Sequence, residues 1–292
     1  MLARTLSKLK ILGPLGIAIV GFFIFIAVFG DFISPYDPNR QDLMSADQTF
    51  SWEHPLGTDN LGRDTLSRLI KGAQTTLVGV FLVLCMAGSV GLTIGTISGY
   101  FGGWVDEIFM RIIDFGLSVP SLVVALAIVG VFGPSYWNMI IALAIAWVPI
   151  YARLTRGVVA AAVQQPHIES LWVLGASRPR IITRHLAPEA LGAVLIYASA
   201  DAGKLALAIA NLSFLGMGVQ PPTAEWGQML VSALPYLEQS PRQVILPGIA
   251  LTLMVVGFNL LGESIALSKS PKPLSARALA RAKAIFAKEA VA

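Results

Sequence analysis

Long apolar blocks without a charged residue dominate this sequence and leave few folds open to it. Residues 75–99 contain no Asp, Glu, Lys or Arg, and neither do residues 115–150. A helix needs about 20 apolar residues to cross a hydrocarbon layer of roughly 30 Å. Charged residues make up only 13% of the chain, about half of the roughly 25% expected of a soluble domain. The sequence therefore predicts a membrane protein and excludes a soluble enzyme or a disordered tail.

The apolar blocks predict six membrane spans. The block at 115–150 is interrupted by Gly133-Pro134-Ser135, which divides it into two spans joined by a tight turn. The other four spans cover residues 11–30, 75–99, 190–216 and 244–262. The first block is longer than the apolar region of a usual signal peptide and no Ala-x-Ala site closes it, so we expect an uncleaved anchor. Six spans place both termini on one side of the membrane.

The distribution of lysine and arginine predicts which side that is. With a cytoplasmic N-terminus, 15 of the 21 basic residues fall in cytoplasmic segments and 5 in external segments, while Lys204 alone lies within a span. Cytoplasmic segments of membrane proteins carry the excess of Lys and Arg. We therefore expect both termini in the cytoplasm. The formal net charge of +4 reflects this anchoring, so nucleic-acid binding need not be invoked to explain it.

Cysteine and histidine are too few and too scattered to predict a covalent or metal framework. Cys85 is the single cysteine and lies inside an apolar block, which excludes a disulfide within the chain. The three histidines share no ligand spacing with it, so we predict no metal site. The Asp and Asn residues of segment 54–68 do not fit an EF-hand. We expect capping and turn roles for Thr58, Asp59 and Asp64 instead.

The longest cytoplasmic loop between spans predicts two short helices with a glycine corner. Pro166 suits the start of a helix, and Gly175 suits its end, where a residue that tolerates positive φ is required. Ser177 is expected to cap a second helix with Pro179 in its first turn. That second helix is expected to stop at Pro188.

The two loop helices have an apolar side and a basic side. The apolar residues are Ile168, Leu171, Trp172, Ile181 and Ile182, and the basic residues are Arg178, Arg180 and Arg184. Because such an apolar side on the cytoplasmic face has to be covered, we expect it to dock on another component.

This loop resembles the EAA loop of ABC-importer permeases, whose pattern is Glu-Ala-Ala, x3, Gly, x9, Ile-x-Leu-Pro. Glu169, Gly175 and Pro188 match the pattern. Ser170 and Leu171 replace the paired alanines, and His185 and Ala187 replace the Ile and Leu. The resemblance implies that the residues coupling to the ATPase are Glu169, Ser170, Leu171, Trp172, Gly175, Ala176, Ser177, His185 and Pro188. Taken in isolation, a glycine-cornered helix pair also occurs as a plain structural connector.

Further segments extend the resemblance to about residues 10–265. Residues 54–68 are similar to the external segment before the second span in the dipeptide/oligopeptide/nickel permease family, specifically its C-type subunit. Residues 102–106, 110–114 and 212–227 are similar to other blocks of that family, in the same order and spacing. Gln74 stands where the family usually has Arg.

The resemblance implies an all-α membrane protein with the type I ABC-importer permease fold and a cytoplasmic coupling-helix loop. It implies a multi-pass location in the bacterial inner membrane and contact with membrane lipid. The implied protein partners are a second, B-type permease subunit, two ABC ATPase subunits and a solute-binding protein. ATP and Mg would be bound by the ATPases, since no Walker A pattern occurs in this sequence. The chain itself is then not an enzyme and has no cofactor or nucleic-acid partner, and it works by alternating access.

Three domains are expected along the chain. Residues 1–72 form an anchor helix and an external segment, residues 73–267 the permease core with five spans, and residues 268–292 a basic cytoplasmic tail. The tail is predicted to lie on the anionic inner leaflet as an amphipathic helix, with partner contact or disorder as alternatives.

Ionisable residues near or within the spans admit a structural and a functional interpretation. At the inner boundary we expect a structural ion pair of Arg111 with Asp106 or Asp114. Asp201 and Lys204 lie at i and i+3 within a span, so they can neutralise each other. They either steady the bundle or line a polar path for a zwitterionic or chelated solute. The candidate path residues are Asp201, Lys204, Asn211 and Ser213.

Two parts of the sequence bear on the class of solute. Peptide-type relatives often have an acidic residue where this chain has Ile209, and nickel-type relatives tend to have the Pro-Thr-Ala-Glu-Trp-Gly sequence found here at 222–227. The pattern weakly favours a metal or metallophore over a peptide. An ion-coupled secondary carrier or a channel subunit is the alternative function, and it would require carboxylates in several spans.

Overall fold

The computed structural model describes residues 2–269, with side-chain surroundings described for residues 13–266. Ten α-helices make up this part of the chain. They are α1 (Leu2–Ile33), α2 (Thr65–Phe101), α3 (Gly103–Ser118), α4 (Ser121–Phe132), α5 (Tyr136–Val163), α6 (Pro166–Val173), α7 (Arg178–Ile181), α8 (Ala187–Phe214), α9 (Trp226–Ala233) and α10 (Arg242–Lys269). The basic tail predicted at 268–292 lies, beyond its first two residues, outside the described range.

Five helices are long and apolar enough to cross a membrane, and a bent pair can form a sixth span. The five cover Gly13–Ile33, Thr65–Phe101, Tyr136–Val163, Arg178–Phe214 and Arg242–Ala266. This confirms the all-α membrane fold.

The third predicted span is not one straight helix. It covers the end of α3 and the whole of α4, and these two helices meet at an angle of 88°. Val119 between them has an extended backbone, with φ −107° and ψ 136°, because a proline ring disfavours the helical conformation in the residue that precedes it. Pro120 therefore ends α3 and lets α4 leave in a new direction.

Glycines bring α2 and α5 into backbone contact at the centre of the bundle. Gly91, Gly95 and Gly99 follow each other at intervals of four along one face of α2. A Cβ at Gly91 would lie 2.9 Å from the backbone nitrogen of Ala152, and one at Gly99 would lie 2.8 Å from the carbonyl oxygen of Arg156. Without a hydrophobic driving force between helices in lipid, such small residues give close packing. This seam places α5 and its cytoplasmic end rigidly against α2.

The external segment before α2 folds over a buried charge cluster. Asp59 accepts from Arg63 Nε at 2.7 Å and lies 3.5 Å from Arg68 Nε, and Arg68 is almost fully buried. Asp64 caps α2 by accepting from the Ser67 backbone N–H at 2.8 Å. The carboxylate of Asp59 also accepts the backbone N–H of Leu61, which is a turn role.

Thr58 completes this segment, since its hydroxyl oxygen accepts the Gln48 backbone N–H at 2.9 Å. The turn role predicted for Asp59 and the capping role predicted for Asp64 are confirmed, whereas the Thr58 hydroxyl bonds to Ser45 and Gln48, 13 and 10 residues away, and neither caps a helix nor closes a turn.

Candidate functional site

The loop between α5 and α8 forms a helical hairpin whose corner is a Schellman motif. The N–H of Ala176 donates to the Leu171 carbonyl at 3.0 Å, and the N–H of Gly175 donates to the Trp172 carbonyl at 3.0 Å. Gly175 has a φ of +79°, a conformation that costs a residue with a Cβ roughly 1–2 kcal/mol. The predicted glycine corner is confirmed, and it holds the end of α6 in one orientation.

The second loop helix does not stop at Pro188 as predicted. It continues from α7 through a π-helical turn at Ile182–Leu186 directly into α8. A proline inside an α-helix has no N–H to donate and clashes with the carbonyl four residues earlier. The π turn before Pro188 changes the backbone hydrogen-bond register at this point of the helix. Pro188 therefore sits in the first turn of α8, and α7, the π turn and α8 form one continuous helical rod.

The apolar side of the hairpin faces this chain's own bundle, which corrects the prediction that it docks on a partner. Ile168, Ile181 and Leu186 are fully buried in a cluster with Val159 of α5 and Ala190 of α8. The physical reason is the continuous rod, which folds the hairpin back against α5 and α8. Leu171, Ala176 and Ile182 are partly buried against the same cluster.

The exposed apolar surface is instead the C-terminal end of α6, here called the docking tip and consisting of Trp172, Val173 and Leu174. Their exposed fractions are 41%, 84% and 81%. Trp172 stacks on Tyr100 of α2 with ring centroids 6.3 Å apart and an interplanar angle of 14°. The docking tip is thus held against α2 at one edge and open at the other.

The remaining predicted coupling residues occupy the hairpin as follows. Glu169 and Ser170 are exposed, and the Ser170 hydroxyl donates to the Pro166 carbonyl at 2.8 Å. Ser177 takes the N-cap position of α7, but its side chain makes no capping hydrogen bond, so that detail of the prediction is wrong. His185 is half-buried in the π turn, and Pro188 is exposed.

Two ion pairs tie the cytoplasmic end of α5 to α3. Arg156 donates from Nε to Asp106 at 3.0 Å and makes a second bond to the same carboxylate, and Arg153 pairs with Asp114. The predicted pairing of Arg111 with Asp106 or Asp114 is therefore wrong. Arg111 lies 3.7 Å from Glu107, one turn away on the exposed side of α3, whereas both aspartates face α5.

Asp201 and Lys204 form the predicted pair within α8. Lys204 Nζ lies 3.5 Å from Asp201 Oδ1, and the indole N–H of Trp147 on α5 donates to Asp201 Oδ2 at 2.8 Å. The Asp201 side chain is 3% exposed and that of Lys204 is 68% exposed. Sequence reasoning missed Trp147, although an indole N–H in an apolar span needs an acceptor and indicates a buried one.

The other two candidate path residues lie in different surroundings. Asn211 is exposed on α8, two turns beyond Lys204. Ser213 is buried, and its hydroxyl oxygen accepts the Val219 backbone N–H at 3.2 Å. Asp201, Lys204 and Asn211 therefore lie within about three turns of one helix, while Ser213 holds the turn after α8.

A buried carboxyl that sequence reasoning missed lies between α2, α8 and α9. Glu225 caps α9 by accepting the Gln228 N–H at 3.0 Å, and Thr76 donates to it at 3.1 Å. Burial raises the pKa of the Glu225 carboxyl, against the opposing effect of hydrogen bonds from Gly227, Gln228, Ser213 and Thr76. A Glu directly before a short amphipathic helix was the available signal for this cap.

Replacing Glu225 with glutamine tests that environment. Burial raises the pKa of the Glu225 carboxyl in the folded state. The free energy of unfolding of the wild type should therefore fall as the pH rises from the ordinary pKa of 4.5 through the raised pKa. Each tenfold change in proton affinity between the two states corresponds to about 1.4 kcal/mol. Glutamine does not ionise, and the neighbouring hydroxyls can turn to suit it. We expect E225Q to have the higher unfolding midpoint in detergent at pH 8 and a midpoint close to wild type at pH 5. A lower midpoint at pH 8 would show that the four donors hold an ionised carboxylate.

Comparison with known proteins places this geometry in a family. The family model described as "Binding-protein-dependent transport system inner membrane component" matches residues 91–271. The model of the "N-terminal TM domain of oligopeptide transport permease C" matches residues 12–55. The first match covers the hairpin, the docking tip and the Asp201–Lys204 pair, and more than half of the chain.

Several named proteins are similar over most of their length. The chain is 37% identical over 254 residues to the probable D,D-dipeptide transport system permease protein DdpC of Escherichia coli strain K12, covering 87% of this chain and 85% of that protein. It is 36% identical over 269 residues to the dipeptide transport system permease protein DppC of Alkalihalophilus pseudofirmus, covering 92% and 88%. It is 39% identical over 251 residues to the glutathione transport system permease protein GsiD of E. coli O6:K15:H31, covering 85% and 82%.

A solved structure shares the fold. The chain matches a chain of the MetNI methionine ABC transporter, determined in inward-facing conformations, with a TM-score of 0.56, 19% sequence identity and coverage of 70% of this chain and 98% of the other. This likeness shows the type I permease fold. Together with the family matches, it shows that the chain belongs to the inner-membrane component family of binding-protein-dependent transport systems, as a multi-pass, non-catalytic permease subunit of an ABC importer in the bacterial inner membrane.

Proposed function

We propose that this chain is the C-type permease of an importer for short peptides. Two relatives are named for dipeptide or D,D-dipeptide transport and a third for glutathione transport, and all are similar over more than four-fifths of this chain. Nickel or metal chelates remain the competing solutes, since Ile209 and the sequence at 222–227 point that way.

The observation that supports the coupling role most is the docking tip. Val173 and Leu174 are almost fully exposed on a hairpin whose own apolar side is already buried. Adjacent exposed apolar side chains of this kind mark an interaction site. We propose that an ABC ATPase subunit covers the tip, with Glu169, Ser170, Ser177 and the other predicted coupling residues around it.

The route of the motion follows from the continuous rod. The π turn joins the hairpin to α8, so a push on the tip is carried along α8 toward Asp201 and Lys204. The ion pairs of Arg153 and Arg156 carry α3 along with α5. In this proposal ATP binding at the partner ATPases rocks this chain against the second, B-type permease and exposes the path alternately to the two sides.

We propose the same division of labour for the rest of the chain. Residues 1–72 provide the anchor and the external segment, residues 73–267 the permease core, and residues 268–292 a tail on the inner leaflet. The external segment would receive the solute-binding protein, since Met44 and Trp52 are strongly exposed there. ATP and Mg are bound by the partner ATPases.

Uptake by the complete complex in proteoliposomes tests the function. The complex is reconstituted with ATP inside and the solute-binding protein outside, and labelled dipeptide, glutathione and nickel chelate are offered in parallel. We expect ATP-dependent accumulation of the dipeptide, and background uptake with a non-hydrolysable ATP analogue or without binding protein. Accumulation of the nickel chelate alone would overturn the peptide proposal, and uptake driven by an ion gradient without ATP would favour the carrier alternative.

A further inference from the structure

One narrow stripe of α8 is open on the surface of this chain, and it carries a positive charge. Within the fully described stretch 201–210, every side chain except Lys204 and Leu207 is buried. Asn211 and Phe214 continue the stripe at helical spacing and are exposed. The other sides of α8 pack against α2, α5, α9 and α10, although Leu191 and Leu195 nearer its start are exposed as well.

The charge lies deep in the span. In the predicted span 190–216, Lys204 lies about 21 Å from the first residue and about 18 Å from the last at 1.5 Å per residue, near the middle of a hydrocarbon layer of roughly 30 Å. A lysine near a helix end can reach the interface by snorkelling, but one at mid-depth facing lipid is costly. The stripe at Lys204 is therefore placed for a water-filled path beside the second permease.

The contacts of Lys204 leave its ammonium group available on the outer side. Among the residues whose surroundings are described, its charged partner is Asp201 at 3.5 Å, a distance longer than the 2.7–2.9 Å that is typical of a strong charge-assisted hydrogen bond. Asp201 is buried and its second oxygen is already bonded by Trp147 at 2.8 Å. An ammonium has three donors, so at least one points away from the Asp201 carboxylate, on the exposed side.

We infer that Lys204 binds the free carboxylate of the solute as it passes, and so selects for solutes that end in a carboxylate. This inference rests on the proposed peptide transport. Asp201, positioned by Trp147, is the counter-ion of the Lys204 ammonium when the path is empty. The solute carboxylate replaces Asp201 as the partner of Lys204, so it is bound only briefly. Leu207 and Asn211 on the same stripe provide an apolar surface and a neutral amide for the remainder of the solute.

The test compares labelled alanyl-alanine with its C-terminal amide in proteoliposomes holding the complete complex, at concentrations that load the binding protein with either probe. We expect wild type to take up the acid at least ten times faster than the amide. Lys204→Met should lower uptake of the acid at least tenfold more than uptake of the amide, so that the preference for the acid is lost. Lys204→Arg is the matched control, because it keeps the charge, and it should retain the preference.

Equal losses for both probes in Lys204→Met, or an unchanged preference for the acid, would overturn the inference. If wild type takes up neither probe with ATP, the proposed peptide transport itself fails.

In case Lys204→Met does not assemble, Lys204→Cys is made in a Cys85→Ser background, which removes the only native cysteine of this chain. Aminoethyl methanethiosulfonate should react there, restore the preference, and react more slowly when alanyl-alanine is present. A cysteine that does not react from either aqueous side would place Lys204 outside the path and overturn the inference.

Discussion

Replacing Val173 and Leu174 together with aspartate is expected to abolish ATP-dependent uptake while leaving the chain folded in the membrane. Both side chains are more than 80% exposed, so the chain alone loses little by the change. Burying a valine or leucine at an interface contributes about 1.5–3 kcal/mol each, and a buried aspartate without a partner adds a further penalty. Since about 1.4 kcal/mol is tenfold in affinity, the ATPase should bind at least a hundredfold more weakly.

Co-purification of the ATPase subunits with the tagged permease measures this loss directly. Leu174→Met is the matched control, because it changes the side chain but keeps an apolar surface, and it should retain the ATPase and most uptake. Normal ATPase binding and uptake by the double aspartate variant would contradict the docking role of the tip. Loss of the folded permease itself, seen as aggregation in size-exclusion chromatography, would show that the tip is packed within this chain.

The second large effect is expected at the glycine seam between α2 and α5. A Cβ at Gly95 would lie 2.5 Å from the Ala152 carbonyl oxygen and 2.5 Å from Thr155 Cβ. The backbone cannot move out of the way without separating the helices, and overpacking of this kind costs typically 1–3 kcal/mol and more when backbone is displaced. We expect Gly95→Leu to prevent assembly of the bundle, with little monodisperse protein recovered and no uptake.

Gly88→Ala is the matched control on the same helix. Only Val194 lies near a Cβ built there, at an ordinary 3.7 Å, so this variant should be recovered and transport like wild type. If Gly95→Leu were recovered with an unchanged unfolding midpoint, the close approach of α2 and α5 would not be what holds the bundle together.

The spans and the glycine corner could be predicted from the sequence because each depends on a local property. Apolar length determines a span, and only glycine adopts the φ of Gly175 without a penalty. The side of the hairpin that faces outward could not be predicted in this way. Ile168 and Trp172 both belong to the apolar side in sequence, but Ile168 is fully buried and Trp172 is partly exposed, since the direction of α8 decides which residues are covered.

Charge pairing shows the same limit. The pair Asp201–Lys204 was predictable, because i and i+3 neighbours meet on any helix. The partners of Asp106 and Asp114 lie far away in sequence on α5 and depend on the bend between α3 and α4. Glu225 and Trp147 were missed for a related reason, since burial arises from three helices coming together and leaves no spacing pattern along the chain.

The π turn at Ile182–Leu186 fixes the rotation of the cytoplasmic hairpin about the helix axis relative to the membrane-spanning part of α8. An α-helix advances about 100° per residue, and no loop separates the docking tip's hairpin from α8. Adding or deleting one residue in this turn would swing the Lys204 stripe by about a quarter of a revolution relative to the ATPase. The number of residues in this turn therefore sets the relative orientation of the two surfaces, so we expect a change in its length to disturb transport more than a change of residue type within it.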